Sequence, residues 1–525
     1  MASRLAWLAA ALAALALAQG AARAEPVTLR SHDGATQVSG ELIDFDGTTY
    51  TVRTGVGTII IEAAHVICDG EGCPRELVYG ERFGIAGSSL IGEGLMPALV
   101  EGYADTLDAR LLREVGTAAR RQVLRLLDAE EREVAAIDLS TDGTAAGFAA
   151  LAAGSAAIAL ASRRAADAEA GEAALAGQAG QAGLRGSERE HILALDGLIL
   201  VVHPDNPVDQ LTLDQAAALF AGRIRSWAQL GGAERPVSLY LPPSGSGTLE
   251  TFERLVMAPR DLGLADSAER VEGNANLADL VSIDPSGIGV TGFAFARAAK
   301  TLAIRQQCGL LARADRFSIK TEEYPLARRL YAYPAEGPLP SHAEGLLGFA
   351  LSDAAQPVIA GAGFVDRAVE SQGIEAQGGR LVHSLTSPEE FSFELLREML
   401  GELREARRLS ATFRFTRGST DLEARSQTEA ERLARRVAAG DYAGQEILLV
   451  GFADSVGEFE VNRDLARRRA EAVLEALTAA VPEGALAETP IGVRSYGELT
   501  PVGCNETPAG RELNRRVEVW VREAG

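Results

Sequence analysis

The chain is 525 residues long and 47% hydrophobic, enough for several domains with sizeable cores. Its 51 basic and 73 acidic residues leave a formal charge of −22, which argues against nucleic acid as a partner. A small anion is not excluded, because a few converging backbone N–H groups bind one despite a negative surround.

The first segment sets the compartment. Arg4 precedes an apolar run from Leu5 to Ala18, followed by Ala22-Arg23-Ala24. This is the pattern of a cleavable signal peptide over 1–24, with a basic start, an apolar centre and a small-residue cleavage site. The run is short for a membrane span, and no cysteine follows the cleavage site to carry a lipid. The expectation is an exported protein of the periplasm, mature from about Glu25. Cys68 and Cys73 are close enough in sequence to pair in such a compartment. For Cys308 and Cys504 a disulfide and two buried thiols both stay open.

Residues 25–78 read as a small all-β domain. Short strand candidates such as QVSGELIDFDG and TTYTVRTGVG are broken by Asp-Gly and Gly turns. From 82 to 371 strands and helices alternate, as in an α/β domain. An Ala/Gly-rich piece at 165–183 reads as an exposed helix or mobile loop. Residues 372–408 read as a charged helical linker, in which Glu389-Glu390 form a solvated face. Residues 409–525 form a last α/β unit with strand candidates ATFRF, EILLVGF and RRVEVWV.

Three turns of the middle domain share one design, glycine and hydroxyl residues opening a helix. They are AGSSLIGEG with Ser88 and Ser89, STDGTAAGF with Thr144, and PPSGSGTLETF with Ser244, Gly245, Ser246, Gly247 and Thr248. Helix N-termini leave N–H groups unpaired and carry partial positive charge. Glycine lets a ligand approach the backbone, and hydroxyls add donors. Each turn alone is also an ordinary N-cap. If the three converge, they cradle a tetrahedral oxyanion.

In the last unit, Asp454 ends the strand Ile447–Phe452 and Arg469 lies two turns into the next helix. Arg469 shares the apolar stripe of Leu465, Val473 and Leu477, an odd place for a charge. A carboxylate beside a guanidinium suits a zwitterionic ligand; a plain structural salt bridge is the other reading of the same spacing.

Longer stretches carry two resemblances. NPVDQLTLDQAAALFAGRIRSWAQLGG (206–232), PSGIGVTGFAFA (285–296), EYPLARRLY (323–331) and LLGFALSDAAQPVIAGAGFV (346–365) are similar to the phosphate-type periplasmic substrate-binding proteins of ABC transporters. The likeness implies two α/β lobes with an anion held between them. It carries the turn residues above, with Ser162, over as ligands. Two departures stand out. Pro242-Pro243 occupies the place where that family commonly has an arginine, and Ala161-Ser162-Arg163 stands where an aspartate accepts the proton of hydrogen phosphate. Arg163 is a candidate for the missing charge and Asp142 for the acceptor, each with a blander alternative, a surface arginine and a turn cap. Asp454, Gly457, Asn462, Leu465, Arg469 and Ala470, with Asn514-Arg515-Arg516-Val517, resemble the OmpA-like peptidoglycan-binding domain. That likeness implies that Asp454 and Arg469 clasp the diaminopimelate of the peptidoglycan stem peptide, with Asn462 in the same site.

The expected fold is thus a small all-β domain, a two-lobed binding-protein domain and an OmpA-like domain, all but the first α/β. The expected function is a periplasmic receptor for phosphate or a related oxyanion, tethered non-covalently to peptidoglycan. An ABC permease or an outer-membrane protein is a candidate partner. The alternative is a wall-tethered scaffold whose cleft no longer binds phosphate. No metal, cofactor or catalytic residue is expected: the six histidines are scattered, and no Ser/His/Asp set or GxSxG elbow is legible.

Overall fold

The computed structural model describes residues 26–31, 36–45, 49–62, 66–69, 73, 80–116, 120–166, 169, 189–386, 392–415 and 419–524. The expected signal peptide, most of the Ala/Gly-rich piece and Glu389-Glu390 lie outside them. The chain divides into two units, Met1–Val78 and Tyr79–Gly525. No helix among the described residues is long and apolar enough to cross a membrane.

The first unit is a five-stranded antiparallel sheet. Gly57–Glu62 and Val66–Asp69 form its edges, and Thr49–Thr54, Gln37–Phe45 and Pro26–Ser31 lie between them in that order. Val27 with Leu29, and Tyr50 with Val52, bury alternate positions on one face, as expected of a sheet with a single covered side. Cys68 and Cys73 are disulfide-bonded at the end of this sheet.

In the second unit one sheet runs through both lobes of the middle domain. Glu81–Gly87 lies parallel to both Glu133–Ser140 and Ile158–Ala161 in the first lobe. Ser238–Leu241 lies parallel to Gly287–Gly292 in the second. Two strands join the halves. The strand His191–Val202 pairs first with Ala327–Pro334, then from Leu198 onward with Gly287–Gly292. Ala327–Pro334 in turn pairs with Ile158–Ala161. Positions 193–202 are all buried, as expected of an apolar strand covered on both faces. The exception in chemistry is Asp196, a carboxylate with no solvent exposure.

The last domain is a five-stranded sheet with Arg516–Glu523 at its centre, between Arg407–Arg414 and Gln445–Phe452. Its two faces are read off that central strand. Val517, Val519 and Val521 pack against the helices Ala424–Ala438 and Phe459–Ala479. Trp520, on the opposite face, packs with Leu395, Leu396, Met399 and Leu403 of the helix Phe393–Leu403. The segment 372–408, expected as a linker, is therefore built into this domain. Ser371–Gly373 forms an edge strand against Arg407–Leu409, and the following helices cover a sheet face. Its charges misled because two of them, Arg380 and Arg408, are buried rather than solvated.

Arg408 also ties the last domain to the second lobe. Its guanidinium pairs with Glu323 of that lobe and, at 3.3 Å, with Glu518 of the central strand. It lies 5.4 Å over the ring of Phe317. Glu518 further gathers Arg380, Arg516 at 2.8 Å, and the Trp520 indole N–H at 3.0 Å. Burial pushes the Glu518 carboxyl up, but the pull of Arg380, Arg408 and Arg516 outweighs it and holds the group well below the usual carboxylate range. Glu323 is lowered too: burial opposes the change, and Arg408 and Arg380 overcome it. Nearby, a Cys308–Cys504 disulfide joins the two domains across 196 residues of sequence. The question the sequence left open is answered by this bond.

Removing the shared carboxylate leaves three arginines buried without it, so Glu518→Gln is expected to lower stability by about 3–5 kcal/mol. Because both glutamates are depressed in the folded state, their contribution is complete above the unfolded value near 4.5. It is lost as pH falls toward the folded values. Urea denaturation from pH 7 to pH 3 should show that acid loss in the parent and a shallower one in the variant. Equal stability of the two at pH 7 would show that the network does not hold the domains.

Candidate functional site

The three glycine-hydroxyl turns are brought to the cleft between the lobes, though not every residue in them faces inward. Ser88 begins where the strand Glu81–Gly87 ends. Its N–H bonds Leu160 O at 2.9 Å, and a helical stretch runs on to Asp105. Its side chain is buried and its Oγ has no hydrogen-bond partner. Thr144 opens the helix Thr144–Ala152. Its Oγ1 accepts the Ser162 N–H at 3.2 Å and lies 3.3 Å from Ser162 Oγ. Ser246 caps the helix Gly247–Phe252, its side chain accepting the Thr248 N–H at 3.3 Å. Thr248 is buried, whereas Ser244 and Gly245 are exposed in the turn. Ser89 and Gly245 lie with Asp142 and Ser246 around a small recess at the closed rim.

The lobes are in close contact here. A Cβ on Gly247 would stand 2.0 Å from Ser162 Oγ and 3.0 Å from Thr144 Oγ1, both across the cleft. A Cβ on Gly143 would stand 2.3 Å from Gly245 O, also across the cleft. Glycine at these two places is what allows closure. Ion pairs bracket the contact. Arg120 of the first lobe meets both carboxylate oxygens of Glu272 in the second, at 2.6 and 2.8 Å. Arg163 reaches Glu250 of the second lobe at 3.1 Å while gripping Glu169 with both terminal nitrogens at 2.8 Å. Arg163, a candidate anion ligand in the sequence, is thus committed to two carboxylates and acts here as a latch between lobes. Asp142 is committed as well: one of its oxygens accepts Ser140 Oγ at 2.7 Å and pairs with Arg121 at 2.9 Å. Through that oxygen it serves the turn.

The sequence reading missed a second buried pair. Arg328, on the strand Ala327–Pro334, donates Nη2 to Thr248 Oγ1 at 3.1 Å and meets Asp196 Oδ2 at 2.7 Å. Asp196 also accepts the Phe293 N–H at 2.9 Å. A guanidinium therefore does stand at the SGSGT turn, supplied by a different strand from the one where Pro242-Pro243 replaces it. The available signal was a lone aspartate in HILALDGLILVV and an arginine opening a second apolar strand. Charges inside strands covered on both faces need buried partners.

The C-terminal candidates also come together, with one change of partner. Asp454 does not pair with Arg469; its Oδ2 takes Arg515 at 2.7 Å, and its Oδ1 takes the Val456 N–H at 3.0 Å. Asn462 braces the loop, donating to Asp454 O at 3.1 Å, Val456 O at 3.2 Å and Glu498 Oε1 at 2.7 Å. Arg469 is buried on the inner stripe with Ala466, Val473 and Leu477. Its Nε donates to Ser419 O at 3.2 Å and its head lies 5.4 Å over the Phe415 ring, but both terminal nitrogens lack a partner. Burial, then the nearby Arg515, lower its pKa to about 10 against the pull of Asp454. A structural salt bridge would satisfy those nitrogens; this arrangement leaves two donors free.

Two lobes meeting at a hydroxyl-lined cleft, followed by a compact α/β domain with a buried arginine, define a two-lobed binding-protein fold joined to a second module. Residues 105–354 match the family described as PBP superfamily domain, and residues 414–515 match the OmpA family. The chain carries a PBP-type domain fused to an OmpA-family domain. Over 160 residues it is 30% identical to the phosphate-binding protein PstS of Pseudomonas aeruginosa, covering 28% of this chain and 49% of that one. Over 80 residues it is 40% identical to outer membrane porin F of Pseudomonas fluorescens, covering 15% of this chain and 23% of that one. The chain spans about half the length of the curated phosphate-binding relatives it matches. Among solved structures, a putative phosphate ABC transporter substrate-binding protein with bound phosphate from Clostridium perfringens is 22% identical. It covers 55% of this chain and 99% of its own, with a TM-score of 0.42.

Filling the closest interlobe contact should hold the cleft open. Gly247→Val is expected to give a larger radius of gyration than the parent in small-angle scattering, at an unchanged far-UV circular dichroism spectrum. Identical scattering curves would mean that this contact does not limit closure.

Proposed function

We propose that the protein is a periplasmic receptor that captures phosphate or a related oxyanion between its lobes and is tethered to peptidoglycan by its last domain. One kind of observation supports both halves: each site holds buried donors with no protein partner. In the cleft it is Ser88 Oγ; in the last domain it is the two terminal nitrogens of Arg469. A buried donor left unpaired costs about 1–3 kcal/mol, a cost relieved when a ligand supplies the acceptor. Ser88, Thr144, Ser162, Gly247 and Thr248 line the proposed oxyanion site, with Arg328 behind Thr248. In the last domain Arg469 takes a carboxylate of the stem-peptide diaminopimelate. Asp454 takes its ammonium, and Arg515 and Asn462 hold the loop in place. The match to the OmpA family and the named phosphate-binding relatives support this reading.

A wall-tethered scaffold is the second reading, and one observation favours it: Arg163 and Arg328 are already neutralised by carboxylates. Calorimetric titration of the protein, stripped of ligand by mild unfolding and refolding, separates the two. Saturable micromolar binding of phosphate is expected; no heat with phosphate or sulfate, from protein shown to be refolded, would favour the scaffold. Both oxygens of Asp196 and one of Asp142 are committed to donors, which leaves no carboxylate dedicated to the proton of hydrogen phosphate. Phosphate and sulfate should then bind within about tenfold, which is about 1.4 kcal/mol. A preference of several hundredfold would mean that one of these carboxylates turns to the ligand.

The tether is tested separately. Asp454→Ala and Arg469→Ala should each abolish co-sedimentation with purified peptidoglycan sacculi while the parent sediments. Retained sedimentation of both folded variants would remove the clasp.

A further inference from the structure

The cleft does not end at the oxyanion site. Ser162 and Arg328 also line a cavity of about 1180 Å³, whose far wall is supplied by the last domain through Arg414, Glu423, Thr507 and Leu513. Organic ligands usually occupy about 300–1,000 Å³, and a single tetrahedral anion needs far less. In a chain of net charge −22, this cavity is lined by eight arginines and four carboxylates.

Five of those arginines are neutralised within the protein. Arg163, Arg164, Arg260, Arg328 and Arg329 each pair with a carboxylate. Three have no ion pair among the described residues. Arg414 donates only to the carbonyls of Leu513 and Thr321, both at 2.8 Å. Arg254 and Arg305 are exposed on the cavity wall, and their side chains have neither an ion pair nor a hydrogen bond among the described residues. Arg254 follows the SGSGT turn by one continuous helical stretch, Gly247–Met257. Partial burial and the nearby Arg163 lower its pKa, with Tyr331 opposing them. Tyr324 and Tyr331 also line the cavity, between apolar side chains such as Leu255 and Ile304. Such a surface takes an anionic body longer than one phosphoryl group.

We propose that the ligand carries two phosphoryl groups, one held at the oxyanion site and the second in the cavity against Arg254 and Arg305. An organic bisphosphate and a short condensed phosphate share this chemistry. The inference rests on the oxyanion reading of the cleft and goes beyond it in naming the class of ligand.

Calorimetry at fixed ionic strength with four probes tests it: inorganic phosphate, tripolyphosphate, fructose 1,6-bisphosphate and citrate. At least one of the two phosphorylated probes should bind tenfold or more tightly than phosphate, and citrate should not match it. In the double variant Arg254→Ala/Arg305→Ala that advantage should shrink below threefold, with phosphate affinity unchanged within twofold and an unchanged melting temperature. Preference for tripolyphosphate assigns a condensed phosphate, and preference for the bisphosphate an organic one. Phosphate binding with no gain for either longer probe would overturn this inference and leave the oxyanion reading standing. Failure of every probe would remove both. An advantage that persists in the double variant, or equal binding of citrate, would overturn the assignment of a second phosphoryl group to the arginine wall.

Discussion

The second unit hangs on one buried cation. Arg408 is fully enclosed between Glu323 of the second lobe and Glu518 of the last domain's central strand. Glu518 meets this cation within the last domain, but Glu323 meets it only when the two domains are docked. Taking such charges out of water is costly, and only well-placed opposite charges offset it. Docking is therefore specific in a way that an apolar interface of the same size would not be. A sliding or rotated arrangement would leave at least one of five buried charges unmatched. Everything described at the cleft mouth, including the wall made by Arg414 and Leu513, inherits its position from this network and from the disulfide beside it.

The cleft works by the opposite principle, through absence of side chains. Gly143 and Gly247 allow the lobes to approach until backbone meets hydroxyl. The interlobe pairs Arg120–Glu272 and Arg163–Glu250 then close around the contact. Such pairs are partly exposed and individually worth little. The two interfaces thus differ in burial: Arg408, with no exposure, joins the domains, and partly exposed arginines bracket the lobes.

What the sequence made legible was local. The three turns and the stripe that holds Arg469 are each contained in a short window, and the longer motifs resemble the families whose models match. What it hid was set by partners distant along the chain. Arg328 and Asp196 are 132 residues apart, and Arg515 reaches Asp454 from 61 residues away. Arg163 meets Glu250 across the cleft from 87 residues away, although its other carboxylate, Glu169, is only six residues on. The segment 372–408 differs from its expected linker for a related reason. Its arginines look like those of a solvated helix until Glu518, far down the chain, gives Arg380 and Arg408 a place inside. Spacing reveals neighbours on one helix or turn; it does not reveal which of many carboxylates a buried arginine will meet.

The disulfide pattern bears on how such a molecule is made. Of the three ways to pair four cysteines, this protein uses the one in which first joins second and third joins fourth. A chain threaded amino end first into an oxidising space would present Cys68 and Cys73 together, long before the others emerge. Their bond would close and remove both from competition. Cys308 would then wait as a lone thiol until Cys504 arrived, with no other cysteine left to mispair with. Simple oxidation in order of arrival would yield the native pairs, with no reshuffling step. The closing of the last bond would mark the moment at which the two domains become one body.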